Sequence, residues 1–343
     1  MLNELRVALS KKERLEVLYV GSRKGPERSY AQEWGLDYAS IPVGKWRRYR
    51  DWRNLTDLVK VGLGVLKSLW VVARFRPEVI FSKGGYVSVP VLLAGWVLRV
   101  PIVIHDSDGI PGLTTRIAAR LATVICLGEA SAAARLPASA QSKVVVTGTP
   151  VRPEILKGSV KRGRELTGFE AGKPVVLVMG GSLGAARLNR AVQFALKKWG
   201  RMVNVVHLTG RGKKEAATRS SHYLPLEFVG EELADLYKLA DVVVSRAGAN
   251  SLAEIQSLGL PSILVPLGRG VSHGDQEVNA LSMVARGGSV MIPDEELNGA
   301  RLSKEVRTLM EAGPRKWSAM GKKAKTGLHK KAAGEIARLI CGV

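Results

Sequence analysis

Two periodicities alternate along this chain. Short runs of apolar residues, such as Val175-Val176-Leu177-Val178-Met179 and Val242-Val243-Val244, predict buried parallel strands. Between such runs, apolar residues recur every three or four positions. Leu188, Val192 and Leu196 share one face of a predicted helix over 186–198. In the first half, Leu2, Leu5, Ala8 and Leu9 predict a helix, and strands are predicted near 15–20, 38–41, 79–81, 102–104, 124–125 and 144–146. Helices are predicted over 55–75, up to Leu98 and over 114–121. In the second half, strands are predicted at 175–179, 203–208, 226–229, 242–244, 262–265 and 289–292, and a basic helical segment at 316–340. This alternation predicts an α/β protein with two Rossmann-like domains of similar size.

The proline-containing break Thr147-Gly148-Thr149-Pro150-Val151-Arg152-Pro153 marks the domain boundary. The expected division is 1–148, 149–325 and a basic C-terminal helix over 326–343, for which a return to the first domain is one expected course. A Rossmann unit opens with a strand, a glycine turn and a helix. This chain opens inside the first predicted helix, so the first domain is expected to lack its first strand and glycine loop. That strand would be central, and each buried peptide group left unpaired costs on the order of 1–3 kcal/mol. Either the sheet closes around the gap or the native chain starts upstream of Met1, and the second is the expectation.

Composition narrows the partners. The 343 residues are 46% hydrophobic, enough for two cores and too many for disorder. Lys and Arg number 52 against 30 Asp and Glu, a formal net charge of +22. Such an excess implies an anionic partner: nucleic acid, an acidic membrane face or a phosphorylated substrate. No zinc-finger spacing or RNP-like aromatic run is present, and aromatics make up only 6%, so nucleic acid is not expected. Cys126 and Cys341 have no metal-ligand spacing and are expected to be reduced thiols in a cytoplasmic protein. No signal peptide or membrane-spanning run is visible.

Two strand-to-helix turns carry candidate chemistry. Gly180-Gly181-Ser182-Leu183-Gly184-Ala185 follows one apolar run, and Ser245-Arg246-Ala247-Gly248-Ala249-Asn250 follows another. Glycine lets backbone approach a ligand closely, and a helix start presents free N–H groups to a phosphate. Glu254 falls one turn into the second helix, within reach of a sugar hydroxyl. Either turn alone is what any tight α/β connection requires. The pair, with a polar cluster downstream, points to a nucleotide diphosphate carrying a sugar.

Five motifs, in order over nearly the whole chain, resemble the MurG family of bacterial glycosyltransferases. They are Gly84-Gly85-Tyr86-Val87-Ser88, His105 to Thr114, Gly180 to Asn189, Ser245 to Glu254, and Asp275-Gln276 with Asn279-Ala280. The resemblance implies the GT-B fold, two Rossmann-like domains facing across a cleft, with no metal or other cofactor and with inversion at the anomeric centre. It implies transfer of N-acetylglucosamine from its UDP carrier to the C4 hydroxyl of a polyprenyl-pyrophosphate-linked N-acetylmuramoyl-pentapeptide. It implies donor contacts at Gly181, Ser182, Leu183, Gly184, Arg246, Gly248, Glu254 (ribose), Gln276 (sugar hydroxyls) and Asp275. Asn189 would brace the turn, and Arg152 would reach the diphosphate from the linker; a solvated charge is the competing reading for Arg152. An ordinary exposed helix residue is the competing reading for Glu254. Gly85, Tyr86 and Asp108 would meet the acceptor, and His105 and Asp106 are the candidate bases. A buried, hydrogen-bonded structural histidine is the alternative for His105.

The chain departs from the family in two places. His105-Asp106-Ser107-Asp108 stands where the family has His-Glu-Gln-Asn, and the family's first glycine loop, ending in histidine, has no counterpart. A polyprenyl acceptor implies contact with an anionic membrane surface, as a peripheral protein on its cytoplasmic face. Trp46-Arg47-Arg48-Tyr49-Arg50-Asp51-Trp52-Arg53 is the expected contact, while most of Val61, Val65, Leu66, Leu69 and Trp70 on the following helix are expected in the core. Two other classes stay open: a catalytically impaired UDP-sugar-binding protein at the membrane surface, and a sugar-nucleotide epimerase of the same fold. Turnover with a lipid acceptor separates them.

Overall fold

The structure, a computed structural model, describes residues 2–9, 14–23, 25–44, 53–181, 185–213, 219–268, 272 and 274–343, the side chains of 53–59 excepted. The chain divides into two compact units. The first comprises Met1–Gly148 with Ala332–Val343, and the second Thr149–Lys331.

The first unit contains, in order, α1 (Leu2–Ala8), β1 (Leu18–Ser22), α2 (Glu27–Glu33), β2 (Asp37–Ile41), α3 (Arg53–Phe75), β3 (Ile80–Ser82), α4 (Val89–Val97), β4 (Ile102–Asp106), α5 (Leu113–Leu121), β5 (Val124–Leu127) and β6 (Val144–Val146). All strand pairs are parallel, but they fall into two sheets, β1-β2 and β3-β4-β5-β6. Among the described residues no strand pairs with the outer edge of β1 or of β3. The larger sheet shows the period of two. Ile102, Ile104, Ile125 and Leu127 pack with Leu92, Ala118 and Ala119 on one face. Val103 and Cys126 point to the other face, where Leu5, Ile336, Ala337 and Ile340 cover them.

The second unit contains α6 (Val160–Thr167), β7 (Val175–Met179), α7 (Ala186–Trp199), β8 (Asn204–Leu208), β9 (Tyr223–Leu226), α8 (Leu233–Leu239), β10 (Val242–Ser245), α9 (Ala249–Leu258), β11 (Ser262–Leu264), α10 (Asp275–Ala285), β12 (Ser289–Met291) and α11 (Gly299–Ala324). Helix α12 (Leu328–Cys341) starts in this unit and ends in the first. The six parallel strands run in the order β12-β11-β10-β7-β8-β9. Every residue of β7 is buried. Val176 and Val178 join Leu188, Val192 and Trp199 of α7, while Val175, Leu177 and Met179 face Leu236, Tyr237 and Ile255 of α8 and α9. Apolar burial on both faces at about 25 cal/mol per Å² is the main driving force for this layering.

Strand order reverses between β7 and β10, so the carboxyl ends of these two strands flank the crevice where open α/β sheets bind ligands. Helix α9 stops at Gly259, whose φ of 70° is left-handed and whose amide donates to the Ile255 carbonyl. A Cβ there would meet the Gly321 carbonyl oxygen at 3.1 Å, so glycine suits both the turn and the contact with α11.

Some boundaries differ from the sequence pattern. Strand β9 is Tyr223–Leu226 rather than 226–229, with Pro225 inside it. Proline donates no ladder bond and is tolerated because β9 is an edge strand. The basic segment 316–340 is two helices, and α11 kinks at Gly313-Pro314, where Gly313 has φ 72°.

Candidate functional site

Both turns at the switch point present backbone. After β7, Gly181 is exposed at φ 86°, a left-handed conformation that favours glycine. Ser182, Leu183 and Gly184 lie outside the described residues. After β10, Gly248 is the N-cap of α9, and no side chain caps the helix. Its first amides are therefore available to an anion at the positive end of the dipole.

Glu254 lies on the same helix, with its side chain 15% exposed. This is not the ordinary solvated helix glutamate. Its Oε2 accepts a hydrogen bond from the Tyr237 hydroxyl at 2.9 Å, and Arg152 Nη2 stands 3.9 Å from Oε1. Burial raises the carboxyl pKa, while the Tyr237 bond and the Arg152 charge oppose that rise. Arg152 remains mostly exposed at this loose pairing, on the unit's first residues after the linker.

Arg246, expected at the diphosphate, is buried and held by the fold on one side of its guanidinium. It is 7% exposed, and its Nη1 donates to the carbonyls of Val265 and Pro266 and to Asp294 Oδ1 at 2.6 Å. The guanidinium thus ties the turn after β10 to the end of β11. Asp294 also pairs with Arg187 of α7 at 3.5 Å. The downstream cluster supports this turn and the loop after β11. Asn279 Nδ2 donates to the Ala247 carbonyl, and Gln276 Oε1 accepts the Leu267 amide at 3.0 Å. Asp275 opens α10 beside it, half-buried.

Asn189 belongs to a directional chain of hydrogen bonds. Gln193 Nε2 donates to the Tyr223 hydroxyl, which donates to His207 Nδ1. His207 Nε2 then donates to Asn189 Oδ1, and Asn189 Nδ2 donates to the Thr209 carbonyl. The donors fix a neutral His207, and burial lowers its pKa to about 4. Asn189 is therefore locked between α7 and the end of β8.

In the first unit, the loop after β3 carries Gly84 and Gly85 at φ 84° and 87°, followed by exposed Tyr86. The loop after the adjacent β4 is organised by Asp106. Its Oδ1 accepts the Asp108 amide and its Oδ2 the Gly112 amide, each at 3.1 Å. Asp108 is half-buried in that loop. His105 is 1% exposed, and its Nε2 donates to the Gly148 carbonyl at 2.9 Å. Burial, together with the Lys83 charge, brings its pKa to about 4. The geometry is that of a buried, hydrogen-bonded histidine. Lys83, at the end of β3, has its pKa lowered by desolvation against the opposing charges of Asp106 and Asp108.

Among the second unit's expected residues, Arg152 therefore stands against Glu254 on the helix that Gly248 caps, and Gly181 lies on the turn after neighbouring β7. Tyr237, Asp294 and Lys83 were not singled out in the sequence. Tyr237 stands in the helical pattern Ala234-Asp235-Leu236-Tyr237-Lys238-Leu239 and has the spacing of a core residue. No spacing rule links it to Glu254. The expected membrane segment 46–53 has no described side chains.

Two parallel α/β units, one with glycine turns at its switch point, define the GT-B class of glycosyltransferase fold. The profile of the glycosyltransferase family 28 N-terminal domain matches residues 5–127, and that of the C-terminal domain matches 175–336. The chain belongs to glycosyltransferase family 28. It is 39% identical over 308 residues, 90% of this chain and 87% of the relative, to UDP-N-acetylglucosamine–N-acetylmuramyl-(pentapeptide) pyrophosphoryl-undecaprenol N-acetylglucosamine transferase 2 of Bacillus cereus. It is 41% identical over 301 residues, 88% and 82% of the two chains, to the UDP-N-acetylglucosamine–N-acetylmuramyl-(pentapeptide) pyrophosphoryl-undecaprenol N-acetylglucosamine transferase of Legionella pneumophila. Among solved structures, MurG of Acinetobacter baumannii aligns with TM-score 0.75 at 23% identity, covering 96% of this chain and 91% of that one. The UDP-GlcNAc 2-epimerase of Neisseria meningitidis aligns with TM-score 0.67 at 12% identity, covering 99% and 94%. At these identities the two structures show the fold alone.

Proposed function

We infer that this chain transfers N-acetylglucosamine from UDP-N-acetylglucosamine to the C4 hydroxyl of a polyprenyl-pyrophosphate-linked N-acetylmuramoyl-pentapeptide. The observation that carries the reading is the arrangement of side chains and turns at the β7/β10 switch point. A partly buried carboxylate stands there between Tyr237 and Arg152, beside two backbone turns open to an anion. Relatives near 40% identity over most of both chains bear the name of this reaction.

In the step itself, the acceptor oxygen forms a bond to the anomeric carbon as the bond from that carbon to the diphosphate breaks. The acceptor proton passes to a base, and UDP leaves with inversion. The start of α9, the Gly180-Gly181 turn and Arg152 supply positive potential for the charge that builds on the leaving diphosphate. Glu254 accepts from the ribose hydroxyls, and Gln276 and Asp275 lie on the sugar side. Gly85, Tyr86 and Asp108 stand at the carboxyl ends of β3 and β4, where an acceptor reaches the first unit.

The polyprenyl tail requires a membrane surface. Leu63, Leu66 and Trp70 are exposed on one face of α3, Trp96 and Val97 on neighbouring α4, and Leu113 and Ile117 on α5. Lys67 lies 3.9 Å above the Trp70 ring. Leu66 and Trp70 thus face outward, in contrast to the core placement expected for most of this helix. Aromatic and aliphatic side chains with basic neighbours suit an anionic interface. Among the described residues no helix is long and apolar enough to cross a membrane. We place the protein peripherally, at the cytoplasmic face.

The test is acceptor-dependent turnover. Incubation with UDP-N-acetylglucosamine and a polyprenyl-pyrophosphate N-acetylmuramoyl-pentapeptide releases UDP and gives a β-linked disaccharide lipid. Epimerised sugar nucleotide formed without acceptor refutes the reading in favour of the epimerase, which has only fold similarity behind it. Nucleotide binding without turnover refutes it in favour of the impaired binding protein.

A further inference from the structure

We propose that Tyr237 is a positioning residue for nucleotide recognition: its hydroxyl holds one oxygen of the Glu254 carboxylate so that the other faces the ribose hydroxyls. The inference rests on the assignment of Glu254 to the ribose.

Tyr237 is completely buried in α8 and packs among Leu177, Leu236, Leu239 and Ile255. A phenylalanine would fill that space with the same ring. The phenol adds one polar group with no access to water, which is costly unless the group is bonded. Its partner is Glu254 Oε2, at 2.9 Å. The bond joins α8 to α9 across 17 residues of sequence, and it is charge-assisted when the carboxylate is ionised.

The consequence is directional. A glutamate side chain has three rotatable bonds, and an unheld carboxylate at a helix surface samples many orientations. With Oε2 fixed by the phenol, the carboxylate plane is set. Oε1 is then aimed toward the side where Arg152 stands, 3.9 Å away. A nucleoside diphosphate with its diphosphate near Arg152 and the α9 start would bring its ribose hydroxyls to that same oxygen. Pre-orientation of this kind removes an ordering cost from binding. The bond has a second effect, because it favours the ionised carboxylate and offsets the rise that burial imposes. An ionised Glu254 only accepts hydrogen bonds, as ribose recognition requires.

The experiment compares UDP with 2′,3′-dideoxy-UDP by calorimetry on wild type, Tyr237→Phe, Glu254→Gln and the double variant. Circular dichroism and thermal melting verify that each is folded. Wild type prefers UDP. Tyr237→Phe weakens UDP about tenfold while leaving dideoxy-UDP unchanged, so the preference shrinks. On Glu254→Gln, the added Tyr237→Phe has no further effect on the preference. A pH series gives the second readout: Tyr237→Phe moves the acid limb of UDP binding to higher pH, because the carboxylate protonates earlier. Equal loss for both ligands overturns the proposal and leaves Tyr237 a packing residue. An unchanged preference in Tyr237→Phe, with loss in Glu254→Gln, overturns it while sparing the ribose assignment. A wild type that does not distinguish the ligands overturns the ribose assignment and this inference together.

Discussion

Removing Asp294 should expose how strongly the switch-point turn is anchored. Asp294 Oδ1 stands 2.6 Å from Arg246 Nη1, and the two side chains are 20% and 9% exposed. Deleting one partner of a buried ion pair leaves an uncompensated charge and costs about 3–5 kcal/mol. The low end applies here, because Arg246 Nη1 keeps the carbonyls of Val265 and Pro266. The lost pair to half-exposed Arg187 adds about 0–1 kcal/mol. Asp294→Ala should therefore lose about 3 kcal/mol. A domain of 150–250 residues loses about 2–4 °C per kcal/mol, so the melting transition of the second unit should fall by about 6–12 °C. Scanning calorimetry reads this directly. The double change Arg246→Met with Asp294→Leu removes both charges while roughly conserving apolar volume, and it should recover most of the loss. A fall below about 1 kcal/mol for Asp294→Ala, or a double variant as unstable as the sum of the singles, would refute the anchor.

Three further outcomes follow from the same geometry. Burial lowers the pKa of His105, His207 and His329 to about 4, so each binds a proton near pH 6.5 when unfolded but not when folded. Stability is therefore complete above about pH 6.5 and falls as pH drops toward 4. Denaturant titrations between those limits should show unfolding coupled to uptake of nearly three protons, and a flat profile would contradict the burial. His329 Nδ1 accepts the Thr149 amide at 2.9 Å and its Nε2 donates to Gln256 Oε1, so His329→Phe should cost about 1–3 kcal/mol in urea unfolding. Leu66→Glu with Trp70→Glu should leave the melting temperature unchanged, because both side chains are exposed, and should abolish sedimentation with anionic vesicles at low salt. Retained sedimentation would move the membrane contact elsewhere.

The strands of the second unit were legible because parallel strands buried on both faces need uninterrupted apolar runs, and Val175–Met179 is one. The switch-point turns were legible for a related reason, since glycine at the end of such a run marks backbone that must turn tightly. Helix α3 was harder. Its apolar residues cover more than one face, so periodicity could not decide whether Leu66 and Trp70 pack inward or face water. Arg246 shows the converse limit, as its motif position marks importance near the turn but not the carbonyls that hold it. Tyr237 was illegible because its bond to Glu254 joins two helices, and a hydroxyl's use depends on what tertiary packing brings to it.

The central claim is that the second unit grips a uridine diphosphate with Glu254 at its ribose. Calorimetric titration of UDP into wild type and Glu254→Ala tests it most directly. Binding to wild type that weakens at least about tenfold in the variant is the predicted result. Equal affinity in the two proteins would contradict the account.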